Sequence, residues 1–164
     1  MSSKTGEDGG GKRKTQNLNT AEQKNYSIGF NVLLDQLKND FPEFNFRHGS
    51  KFAFRPPRTI VIGPSEPKME LLLLHELGHA LLGHKDFSID IERIKMESDA
   101  WEKARDLATK YRIDFDDDMM QYELDTYRDW LHKKSRCPIC GLTRFQDASG
   151  YHCPSCESFR NNKK

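Results

Sequence analysis

Apolar positions first recur at helical spacing in Tyr26, Phe30, Leu33, Leu34 and Leu37, with Asn19 or Thr20 as an N-cap and Phe41-Pro42 as the stop. The period then changes. Phe44 and Phe46 alternate with polar residues, as do Phe52 and Phe54 after a turn at His48-Gly49-Ser50, and a short apolar run follows from Thr59 to Ile62. This predicts a small sheet of about three strands. Glu66-Pro67 leads into the stretch LLLLHELGHALLGHK, which predicts a helix ended by Gly83 near His84. Two further helices are expected, from Asp90 to Tyr111 and from Asp116 to His132. The second carries Asp116, Asp117 and Asp118 at its positive end and Lys133 and Lys134 at its negative end, as the macrodipole favours.

With 164 residues and 35% hydrophobic content, the chain has room for one ordinary domain and a small appendage. Its net charge of +1 gives no global field towards nucleic acid or an anionic membrane. Residues 1–18 are polar, Gly-rich and charged, which predicts a disordered tail, including the Lys12-Arg13-Lys14 cluster. The N-terminus has no apolar signal-like segment and no apolar run is long enough to span a bilayer, so the expectation is a soluble, cytoplasmic protein with no membrane partner.

The helix around residue 75 poses the chemical question. Leu71, Leu72, Leu73, Leu74, Leu77, Ala80, Leu81 and Leu82 cover nearly its whole circumference, so it is enclosed by protein. A buried polar group without a partner costs roughly 1–3 kcal/mol, yet His75, Glu76 and His79 all lie here. One turn apart and about 40° around the axis, both imidazoles can face one ion, with Glu76 beside them to reach a water. This is HExxH, the zinc-peptidase signature: two neutral ligands, an open position for water, and a carboxylate base. The competing explanation is a chance match, which an all-round apolar helix makes less attractive.

A catalytic zinc takes three protein ligands. Counted along a continuous helix, His84 lies about 140° further round than His79 and fits poorly, although at a helix end near Gly83 it can line the cleft. A metzincin spacing would need glycine at 82 and histidine at 85, where the chain has Leu82 and Lys85. In the next helix, Ile94, Glu97, Ala100, Trp101, Ala104, Leu107, Ala108 and Tyr111 form one stripe in which Glu97 is the lone acid. Glu97 is therefore the expected third ligand. The alternative is that it pairs with Arg93 or Arg105.

HELGHALLGH followed by ESDAWEKA resembles the ImmA/IrrE family of metallo-endopeptidases, over roughly residues 20–110. The resemblance implies a zincin-like α+β domain, zinc held by His75, His79 and Glu97, and Glu76 as general base. Trp101 departs from the Asn or Asp usual in the family, Lys103 from Phe, and the LLMP that often closes the helix is absent. Members commonly cleave a repressor beside a helix-turn-helix domain, for which this chain has no segment, so the substrate does not transfer with the fold. By the same analogy, the strand Thr59–Ile62 is the expected edge that pairs with an extended substrate.

All four cysteines lie in CPIC, 137–140, and CPSC, 153–156, separated by 12 residues. In a reducing compartment Cys137, Cys140, Cys153 and Cys156 read as a four-cysteine zinc ribbon, whose few large apolar residues make metal the source of its folding energy. Arg136, Arg144, Arg160, Lys163 and Lys164 give it a basic tilt towards nucleic acid, against which stands a docking or stabilising role.

The expected organisation is a tail over 1–18, a zincin-like metallopeptidase domain over 19–133, the ribbon over 134–160 and a tail over 161–164. The expected function is a zinc endopeptidase acting on a cytoplasmic protein, with one catalytic and one structural zinc. Tyr111, Tyr122, Tyr127, His132 and His84 are open candidates for the oxyanion donor. The alternatives are a non-catalytic zinc protein that binds nucleic acid or a partner through its ribbon, and a SprT-like DNA-linked protease, which usually takes a third histidine.

Overall fold

The computed structural model describes residues 28–161; the tail over 1–18, the start of the first helix and residues 162–164 lie outside them. The class is α+β. The elements are α1 (Ile28–Asp40), β1 (Asn45–His48), β2 (Ala53–Arg55), β3 (Thr59–Ile62), α2 (Met69–Leu81), α3 (Asp90–Tyr111), α4 (Asp117–Ser135), β4 (Phe145–Gln146), β5 (Gly150–His152) and β6 (Phe159–Asn161).

The apolar face of α1 buries Phe30, Leu33, Leu34 and Leu37 in the same core as Leu71, Leu73, Leu74 and Leu77 of α2. The first sheet has the order β1-β3-β2, with β1 parallel and β2 antiparallel to β3. Its central strand is β3, which explains why Ile60, Val61 and Ile62 are all buried instead of alternating. This corrects the expectation that Thr59–Ile62 is the open edge: β3 is paired on both sides, and β1 and β2 are the edges.

Helices α2 and α3 pack closely because small residues meet at their contact. A Cβ added to Gly78 would stand 2.6 Å from the Ala100 carbonyl oxygen, so only glycine permits this approach. Consequently α3 lies with Glu97, Ala100, Trp101, Ala104, Leu107 and Ala108 buried, the stripe read from spacing. Its first turn is fixed by Glu92, whose carboxylate accepts from the Ser88 and Ile89 backbone N–H groups at 2.6 and 3.2 Å.

The end of α2 decides where His84 goes. Gly83 sits in the left-handed region at φ 67°, its N–H donating to the Ala80 carbonyl at 3.2 Å while the His84 N–H donates to the His79 carbonyl at 3.0 Å. These are the two bonds of a Schellman cap, which turns the chain back over the last helical turn.

The start of α4 is capped by Asp116, whose side chain accepts from the Met119 N–H at 2.9 Å. The helix runs to Ser135, past both the expected end at His132 and the expected domain boundary. The reason is Arg144, which donates to the Lys134 and Ser135 carbonyls at 2.8 and 3.3 Å and so satisfies the end of the helix. Beyond it, β4, β5 and β6 form an antiparallel sheet of order β4-β5-β6.

Candidate metal centres

In α2, His75 and His79 present their Nε2 atoms 3.1 Å apart. From α3, Glu97 Oε2 lies 3.2 Å from His75 Nε2 and 3.3 Å from His79 Nε2. The three atoms form a nearly equilateral triangle of potential ligands. Bonds of about 2.0–2.1 Å to a tetrahedral ion require ligand atoms about 3.3–3.4 Å apart, so a single cation fits this face. Glu97 is buried, which alone would raise its pKa, but the two imidazoles outweigh burial and hold it at about 2.

Among the described residues, Glu97 pairs with neither Arg93 nor Arg105. Arg105 pairs instead with Asp117 at 2.6 Å and Glu102 at 3.3 Å. Among the described residues no ion pair uses Arg93.

His84 is not a member of the donor triangle. The Schellman cap folds it back so that its Nδ1 lies 2.8 Å from His79 Nδ1. A cation on His79 Nε2 would leave the proton on Nδ1, which would then donate to His84 Nδ1. In that state His84 would fix the tautomer and ring angle of His79, as supporting groups do around metal-binding histidines. Counting angles along a continuous helix misses this contact, whereas Gly83 as a helix terminator signals it.

His75 is held differently. Its Nδ1 is buried without a hydrogen-bond partner, and its ring stacks on Trp101 with centroids 4.4 Å apart and planes 30° from parallel. Trp101 thus supplies the platform under the first imidazole.

Glu76 lies beside the triangle in a cleft of about 450 Å³ that also contains His75, His79, His84, Glu97 and Tyr127. The Phe54 N–H of β2 donates to Glu76 Oε2 at 2.5 Å. Because this N–H points away from β3, the Phe54–Ile60 pair is the non-hydrogen-bonded kind, and the Phe54 carbonyl also faces the open edge. The cleft is therefore bordered by an edge strand with outward-facing backbone groups.

The oxyanion candidates separate clearly. The Tyr111 hydroxyl donates to Asp40 at 2.6 Å, Tyr122 is 71% exposed, and His132 lies on the exposed surface of α4. Tyr127 and His84 line the cleft. Burial and then the Glu97 carboxylate push the Tyr127 phenol up to about 12, so it stays protonated at neutral pH.

Comparison with protein families, with curated proteins and with solved structures finds no match. The chemistry of the two clusters rests on their own geometry.

The second cluster is formed by Cys137, Cys140, Cys153 and Cys156, whose sulfurs all lie within 4.8 Å of one another. None is in a disulfide. Sulfur separations of 3.5 Å for Cys137–Cys156 and 3.4 Å for Cys140–Cys153 suit one enclosed ion. Hydrogen bonds, first with Ser158 and then with the Cys140 backbone, lower the Cys137 thiol, while the Cys140 thiol of the same cluster is raised.

This module is docked on α3 and α4. Asp90, at the first turn of α3 and 4% exposed, accepts from the Tyr151 hydroxyl at 2.6 Å and pairs with Lys134 at 2.7 Å. Its own N–H donates to the Gln146 side chain at 2.8 Å. Arg144, expected to contribute to a basic surface, is instead buried against the end of α4. No helix among the described residues is long and apolar enough to cross a membrane.

Proposed function

We propose that the chain is a zinc-dependent endopeptidase with a zincin-like catalytic domain related to the ImmA/IrrE enzymes and a structural zinc in its four-cysteine ribbon. The observation that carries this reading is the triangle of His75 Nε2, His79 Nε2 and Glu97 Oε2, set in an open cleft with Glu76 beside it.

When bound there, zinc supplies Lewis-acid polarisation of a peptide carbonyl and activation of a water molecule. Glu76 accepts the proton of the attacking water and delivers it to the leaving amine. Tyr127, kept protonated by its surroundings, donates a hydrogen bond to the oxyanion that develops on the carbonyl. His84 holds His79 in its ligating tautomer, and the Phe54 carbonyl on the open edge of β2 accepts a hydrogen bond from an extended peptide.

The test is a comparison of new protein N-termini in cells expressing the wild type and Glu76→Gln. Wild-type-dependent N-termini at a small set of sites support the reading. Identical N-terminal profiles, with both proteins abundant and metal-loaded, contradict it.

A further inference from the structure

The peptidase reading leaves one cleft residue without a task. Arg93 stands one turn before Glu97 on α3 and lines the same cavity as the donor triangle. Its guanidinium lies over three aromatic rings, with its central carbon 5.0 Å from the centroid of Tyr127, 5.1 Å from that of Trp130 and 5.8 Å from that of Phe87. Ring faces attract the charge of a guanidinium but leave its planar fork of N–H donors available.

Two other arginines on or beside the site helices are committed. Arg105 is held by Asp117 and Glu102, and Arg144 by the carbonyls that end α4. Arg93 enters no ion pair among the described residues. Nor do the carboxylates of the cleft serve it: Glu76 accepts from Phe54, and Glu97 faces two imidazoles. The remaining charges on the cleft wall, Lys51 and Lys85, are exposed and also positive.

An oriented fork with free donors, in a cleft whose two carboxylates are already engaged and whose remaining wall charges are cationic, is built for a carboxylate. We propose that Arg93 is the specificity-determining residue of the cleft and selects peptides that place a carboxylate next to the scissile bond. The inference rests on the peptidase reading for the scissile bond, and on the aromatic cage and charge pattern for the carboxylate.

The test uses the full-length zinc-loaded protein and fluorogenic peptides that carry Asp or Glu, or their isosteres Asn or Gln, at positions flanking the bond. Each peptide is made with free and with amidated C-terminus. A hydrogen-bonded charge pair of ordinary strength gives an acid-to-isostere ratio in kcat/KM of about 10- to 100-fold. In Arg93→Gln that ratio falls towards one. Arg93→Lys, which keeps the cation in the cage but loses the fork, retains metal and loses most of the ratio. If the ratio follows the free C-terminus instead of the side chain, the carboxylate read is the terminal one.

Binding of the same peptides to Glu76→Gln, measured by fluorescence anisotropy, separates the two claims. Tighter binding of acidic peptides that disappears with Arg93→Gln supports Arg93 even if no peptide is cleaved, in which case it is the peptidase reading that fails. Cleavage without acid preference, or a preference that survives in Arg93→Gln, overturns the role of Arg93 and leaves the peptidase standing.

Discussion

His79 Nδ1 lies 2.8 Å from His84 Nδ1, a contact made by the reversal of the chain at Gly83. Supporting partners of this kind are worth 10- to 100-fold in metal affinity, roughly, when removed. His84→Ala is therefore expected to weaken metal binding at the His75–His79–Glu97 site by that factor while the four-cysteine site keeps its metal. Competition titration with a zinc chelator checks this. Loss of metal from both sites would show that His84 acts on folding instead.

Gly78→Ala tests the close approach of the two site helices. In an exposed helix this change gains about 1 kcal/mol. Here the new methyl meets the Ala100 carbonyl oxygen at 2.6 Å, within backbone that has no side-chain end to swing away. Overpacking of this kind costs about 1–3 kcal/mol, so a lower melting temperature is expected, with reduced metal occupancy because Glu97 is carried on the displaced helix. A melting temperature above the wild type contradicts the packing argument.

Trp101→Ala removes both a fully buried side chain and the ring under His75. Large aromatic-to-alanine changes in a core cost about 3–5 kcal/mol. The expected result is a lower denaturation midpoint by urea titration, together with weaker metal binding at the first site. Weakened stability with unchanged metal affinity would separate Trp101 from the support of His75.

Tyr151→Phe tests the docking of the cysteine module on α3. The change deletes one hydrogen bond to the buried Asp90 carboxylate and leaves Lys134 as its remaining side-chain partner. A loss of about 1.5–3 kcal/mol is expected from a bond to a charged group. Hydrogen exchange in the first turn of α3 should rise at the same time. Faster exchange confined to the strands of the module would mean that the dock does not steady the helix.

Metal removal acts on the module more severely. Its sheet is made of strands of two and three residues, and Phe145 and Phe159 are exposed. Without an ion on its four sulfurs it has too little core to offset ordering entropy. Chelation is expected to abolish slow exchange across residues 136–161 before α1 and α2 unfold. Retained protection there after complete metal removal would contradict the assignment.

Local chemistry made much of this legible. The boundaries of α3, Asp90 and Tyr111, follow from its stripe and its charges, and Glu97 stood out as the lone acid of that stripe. What failed did so for reasons of tertiary structure. The angle counted for His84 assumed a helix that Gly83 ends. The assignment of Thr59–Ile62 as the edge required a strand order that no local period encodes, because β1 and β3 pair in parallel across the intervening β2. Arg144 reads as a surface cation until the open carbonyls at the end of α4 are placed beside it. Arg93 could have been noticed at one turn from Glu97, but its aromatic cage draws on Phe87, Tyr127 and Trp130 from other elements.

The most direct measurement is a single-turnover cleavage assay of zinc-loaded wild type and Glu76→Gln, with zinc counted in both by mass spectrometry. About two zinc ions per chain are expected in each protein, with peptide-bond cleavage by the wild type and loss of cleavage in Glu76→Gln. Cleavage by Glu76→Gln at the wild-type rate with its zinc retained would contradict the role assigned to Glu76 and the mechanism built on it.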